Sequence, residues 1–283
     1  MKKIALTSLL AVFAAAGANA ANVIDGNPLY MPKAGHFYSV TTMGGHTHVG
    51  DPDIVTLGED FGYGISDKLA INVGTSFSEG EEFDGYAWNN LSFGATLRAF
   101  QDGNVVADIY GDLDWNGGLF VHNKVANLDG KKNFWFDKDF SVYTYTVGGR
   151  IGYMSDMFSI AGHLEYAYRN AEMFNWGDYG LHTLSMGLDG QFVIDSHWNL
   201  VAGVEYTGIT NDNIASYTDV KVPGEYNNAG VWNGYFGVNY NIDATKYVGV
   251  GINGSMDHWK DNGEKGWDFD KGFGFGARFG IDF

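Results

Sequence analysis

The sequence predicts an all-β protein, a transmembrane antiparallel up-and-down barrel of about 12 strands, with 10 to 14 compatible. Three observations predict it. Apolar and polar residues alternate along run after run, the period of a two-faced strand. Tight and long breaks between the runs take turns, as short turns at one rim and long loops at the other require. Charged residues keep to one phase of the alternation. Composition agrees, with 41 Gly, 16% aromatic residues and only 4 Pro in 283 residues, a balance that favours strands over helices. The absence of Cys excludes thiol catalysis, thiolate metal sites and disulfides. A net charge of −17 argues against a nucleic-acid partner.

The first element is a leader. Lys2 and Lys3 precede an apolar run from Ile4 to about Ala16, and Ala18-Asn19-Ala20 closes it. That layout predicts a secretory signal peptide over 1–20, too short to span a membrane as a helix. A short periplasmic N-terminal arm, 21–33, comes next, and the barrel domain fills 34–283.

Strands are expected near 34–44, 54–65, 69–78, 86–100, 105–115, 139–153, 158–170, 180–193, 198–209, 230–242, 246–257 and 271–283. Tight breaks fall at Ser66–Lys68, Gln101–Asn104, Met154–Met157, Ile194–His197 and Asp243–Lys246. The longest breaks are Asn116–Lys138, with Trp135 among several apolar residues and lysines, and Thr210–Ala229. All four Pro stay outside the strands, where a missing donor does no harm.

Each strand presents an oily and a polar face. The last reads Phe273, Phe275, Ala277, Phe279, Ile281, Phe283 on one phase and Gly272, Gly274, Gly276, Arg278, Gly280, Asp282 on the other. The four arginines, Arg98, Arg150, Arg169 and Arg278, all take the polar phase. Hydrocarbon penalises Arg or Lys at mid-depth by about 2–4 kcal/mol, so the oily phase must be the outward one. Glu59 breaks the rule, sharing its phase with Leu57 and Phe61, and a β-bulge near Gly58 is the expected remedy. Aromatic residues gather near strand ends, Tyr206 and Trp232 towards the long-loop rim and Tyr153 and Trp198 towards the short-turn rim, as interfacial girdles do.

The terminal strand, closing on Phe283 with Ile281, Phe279 and Phe275 at alternate positions before it, resembles the C-terminal assembly signal of Gram-negative outer-membrane β-barrel proteins, a porin-like superfamily. The resemblance implies the cell outer membrane, insertion by the barrel assembly machinery, and contact with outer-membrane lipids and lipopolysaccharide. It leaves the subfamily and the oligomeric state open. Twelve-stranded members of that superfamily include channels, a phospholipase and autotransporter pores.

The expected lining of the lumen is Arg98, Asp108, Asp112, Asp114, Arg150, His163, Glu165, Arg169, Asp189, Glu205 and Arg278, with Asp60 and Asp282 on the same phase. Acids outnumber arginines, so an open lumen passes small hydrophilic solutes with a mild cation preference. A salt-bridge network filling the interior is the alternative, and Arg98 would face Asp108 across a five-residue connection at Gln101–Val105. His46 and His48, before Asp51 and Asp53, form a weak metal candidate in a loop; no cofactor is expected. The acids around Glu79–Asp84 and Asp257–Asp270 lack the spacing of a calcium loop. No Gly-x-Ser-x-Gly elbow is present, and His163 beside Glu165 is the one mid-strand base on the polar phase, so the expectation is not an enzyme. A closed structural or adhesive barrel acting through its loops is the second function class, and an outer-membrane hydrolase the third.

Overall fold

The computed structural model describes residues 26–48, 54–79, 86–116, 140–173, 178–212, 229–259 and 268–283. The expected signal peptide, residues 117–138 of the loop Asn116–Lys138, residues 213–228 of the loop Thr210–Ala229, and Asp51 and Asp53 lie outside the described residues.

Twelve strands form in chain order: β1 Phe37–His48, β2 Ile54–Ser66, β3 Leu69–Glu79, β4 Tyr86–Asp102, β5 Val105–Asn116, β6 Phe140–Met154, β7 Phe158–Met173, β8 Asp178–Val193, β9 Trp198–Asp212, β10 Gly230–Asn241, β11 Lys246–Trp259 and β12 Asp268–Asp282. Every strand pairs antiparallel with its chain neighbours, and β1 pairs with β12, which closes the barrel and removes every edge. At 11 to 17 residues, all are long enough for a tilted crossing, which needs about 9–11.

The alternation decides which face is which. Phe275 is 67% exposed, Val250 64% and Ile151 61%, and each points away from the lumen in a continuous apolar belt. A belt of this size belongs in acyl chains rather than water. Paired rings edge it. Tyr206 lies 4.9 Å from Trp232 near the long-loop rim, and Trp198 lies 4.9 Å from Tyr240 near the short-turn rim.

Three local departures from the sequence reading have physical causes. β1 starts at Phe37 and continues through His48, so His46 and His48 are strand residues opposite Gly274 and Gly272, not loop residues. The glycine pair Gly44-Gly45 reads as a break, yet the ladder with β12 carries on through it. Second, no bulge occurs at Gly58: the β1–β2 register is continuous from Thr42↔Gly58 to Val40↔Asp60. Glu59 therefore stays on the outward phase, where Ser39 Oγ and Thr41 Oγ1 each donate to its carboxylate at 2.6 Å. Neighbouring hydroxyls solve the problem that a bulge was expected to solve. Third, the β4–β5 connection is the two-residue turn Gly103-Asn104, with Gly103 at φ +55°, not five residues. A bulge between Arg98 and Phe100 restores the register and still sets Arg98 opposite Asp108.

Candidate functional site: the polar lumen

Inward positions are every second residue of a strand, so the site is assembled by register. β5 contributes Asp108, Tyr110, Asp112 and Asp114; β6 contributes Arg150; β7 contributes His163, Glu165 and Arg169; β8 and β9 contribute Asp189 and Glu205. The structure thus puts the charged residues singled out by sequence on the inner wall, and it concentrates most of them on β5–β9.

The tightest group is centred on Asp108. Arg98 Nε donates to its Oδ1 at 2.9 Å and Arg150 Nε to its Oδ2 at 2.8 Å. All three are buried, with Asp108 only 2% exposed. A buried carboxylate held by two guanidinium groups has its charge compensated only while all partners remain, so this triad is a structural clamp. Above it, Tyr110 donates to Glu165 at 2.7 Å. His163 sits between two carboxylates, Nδ1 at 2.9 Å from Asp189 and Nε2 at 3.0 Å from Glu205. With a carboxylate at each ring nitrogen, His163 has no free edge with which to serve as a general base. Arg278 lies on the opposite wall, where its Nε donates to Asn239 Oδ1 at 3.0 Å.

That opposite wall is built differently. Inward positions of β12 read Gly272, Gly274, Gly276, Arg278 and Gly280. Register aligns Gly44 of β1, Gly276 of β12, Gly251 of β11 and Gly237 of β10 in one row across four neighbouring strands. A Cβ at Gly276 would meet only backbone atoms, the nearest Met43 O at 3.3 Å, so no described side chain lies within 4 Å of that position. Nearby, Tyr235 is 39% exposed and Asn253 is exposed, both from inward positions.

The two ends of the lumen also differ. At the short-turn end, inward residues from many sides of the ring are buried, including Tyr38 and Val106 at 0%, Val201 at 2% and Tyr247 at 1%. What buries them is the described part of the N-terminal arm, which turns up inside the barrel instead of trailing from the rim. Leu29 is fully buried against Val106 and Ala161, and Arg98 Nη2 donates to its carbonyl at 2.6 Å. At mid-height Asp112, Asp114, His163 and Glu205 keep partial exposure. The described lumen is a vestibule with a floor.

Several lumen residues escaped the sequence reading. Tyr38, Tyr235 and Tyr247, with Asn72, Asn199, Asn239 and Asn253, all lie on the inward phase. Phase alone identifies them; residue type drew attention only to charges. Tyr38 donates to Asp60 at 2.8 Å, and Tyr235 to Asp189 at 2.8 Å, so inward tyrosines hold the carboxylates in place.

A closed antiparallel barrel with an oily outer belt and a polar interior has the fold of porin-like outer-membrane β-barrels. Solved structures share it. An outer membrane channel from Pseudomonas putida F1 is 12% identical, with a TM-score of 0.59 over 92% of this chain and 100% of that one. The NanC porin is 8% identical, with a TM-score of 0.51 over 84% of this chain and 98% of that one. No protein-family model and no curated protein matches the sequence.

Proposed function

We propose that the protein is a porin-like channel for passive diffusion of small hydrophilic solutes, with a mild preference for cations. One observation carries the reading. Among the described residues no side chain lies within 4 Å of a Cβ placed at Gly44 or Gly276, the atoms nearest one at Gly251 are backbone, and inward carboxylates of β5, β8 and β9 line the other wall of the same lumen. Fixed charge along a narrow water path enriches counter-ions and hinders like charges. Asp108 with its two arginines carries one net positive charge, and on this reading the carboxylates Asp112, Asp114, Asp189 and Glu205 outweigh it and set the sign that a passing solute meets. On this reading the outward Phe275, Phe279, Ile281 and Phe283 serve the barrel assembly machinery, and the apolar belt meets outer-membrane lipid and lipopolysaccharide.

A second reading, a closed barrel acting through its loops, draws support from the filled short-turn end. Liposome swelling separates the two. Vesicles carrying the purified protein should swell in small sugars, and faster in a cationic than in an anionic solute of equal size. Vesicles that remain impermeable to all of them, with any form of the protein, would favour the closed barrel.

A further inference from the structure

The floor of the vestibule belongs to the chain itself, and its attachment differs in kind from that of the wall. We propose that residues 26–32 form an internal latch, which closes the channel where the structure shows it and opens the path by withdrawing towards the short-turn rim. This deepens the channel reading and rests on it.

The segment reaches three sides of the barrel. Leu29 wedges against Val106 of β5 and Ala161 of β7, with Met154 beside them. Tyr30 turns towards β12 and β1, donating to Asp282 Oδ2 at 3.1 Å and standing edge-on to Tyr38 at 6.0 Å. Gly26 approaches β9 so closely that a Cβ would collide with Val201 Cγ1, and its φ of +93° belongs to glycine. Arg98 donates to the Leu29 carbonyl at 2.6 Å and Arg150 to the Tyr30 carbonyl at 3.3 Å. A solute descending from the vestibule meets this segment before the rim.

The seat is designed so that the wall survives the segment's departure. Both arginines already give their Nε to Asp108, and only a further N–H of each goes to the segment. Asn239, next to Gly26, is held by Asn199 and Arg278. Water can replace a main-chain carbonyl on a guanidinium, whereas it cannot replace Asp108 in a buried triad. The segment contains no strand, so no ladder has to be unzipped. Its described tether to the wall lies at Ala34 and Gly35, where Gly35 N–H donates to Gly64 O at 2.8 Å. Leu29, Tyr30, the buried Pro28 and Pro32 and a few separate polar contacts hold it, all through side chains and single main-chain groups rather than a ladder.

Unitary currents in planar bilayers test the latch with two variants. The first lacks residues 26–32. The second is Leu29→Cys with Ala161→Cys, the only thiols in a chain that has no Cys of its own, joined by a short bifunctional thiol reagent whose linker is cleaved by reductant. The deletion should raise unitary conductance or open time several-fold over the unaltered chain. The bridged pair should fall silent and recover when the linker is cleaved. Equal currents from the deletion and the unaltered chain, or undiminished current through the bridged pair, would overturn the latch while leaving the channel standing. A folded deletion variant that never conducts would overturn the channel reading itself.

Discussion

The two walls of the lumen use the same strand geometry for opposite ends. From β5 to β9 the inward positions carry long charged side chains that bind one another across register, and the space in front of them is occupied. From β10 through β12 to β1 one row of the register is glycine on every strand, while Arg278, Asp257 and Asp282 are charged inward residues elsewhere on the same strands. A cylinder of 12 strands has a width set by strand number; where its open path runs is set by side-chain volume. The comparison teaches that the charged wall supplies cohesion and sign, and the glycine wall supplies room.

Four substitutions sharpen or break this division. The largest effect belongs to Asp108→Ala, which strands two buried guanidinium groups on the charged wall and should cost about 3–5 kcal/mol. Loss of the heat-modifiable folded band on gels, or a lowered Tm in detergent, would register it. Next is Gly276→Phe on the other wall. It adds a ring where only backbone lies near, so unitary conductance should fall several-fold with folding unchanged, whereas an unchanged current would move the path elsewhere. Third, Asp112→Asn with Asp114→Asn should shift the zero-current potential under a salt gradient towards non-selectivity and leave conductance roughly intact.

The smallest effect is expected away from both walls. In the turn after β8, Asp195 accepts from the N–H groups of His197 and Trp198, which holds its carboxyl below the ordinary carboxylate pKa. A depressed folded-state pKa contributes stability above the unfolded value and loses it as pH falls through the folded one. Asp195→Ala should therefore lower Tm slightly at neutral pH, and the difference from the unaltered chain should vanish in strong acid. Asp243, bonded to Thr245 and Lys246 in the turn after β10, should behave alike.

Much of the barrel was legible because two-faced strands leave a period in the sequence. The arginine phase identified the inner wall, and all four arginines lie on it. Bulges were not legible, since one extra residue at Ala99 leaves the alternation intact on either side and changes only its registration. Glu59 misled because period-two reasoning sees one strand at a time; its partners Ser39 and Thr41 are on the neighbour. The bridging of His163 between Asp189 and Glu205 likewise depends on two further strands. The latch left no periodic trace at all. Asn27-Pro28-Leu29 reads only as part of a short periplasmic arm, and the three-dimensional seat of Leu29 reveals its place.

The central claim, that water and small ions pass between a charged wall and a glycine wall, meets its most direct test in the zero-current potential of the variant lacking residues 26–32 across a planar bilayer with a salt gradient. The account predicts discrete open steps whose potential has the sign of cation preference. An electrically silent folded barrel, or open steps that favour anions, would contradict it.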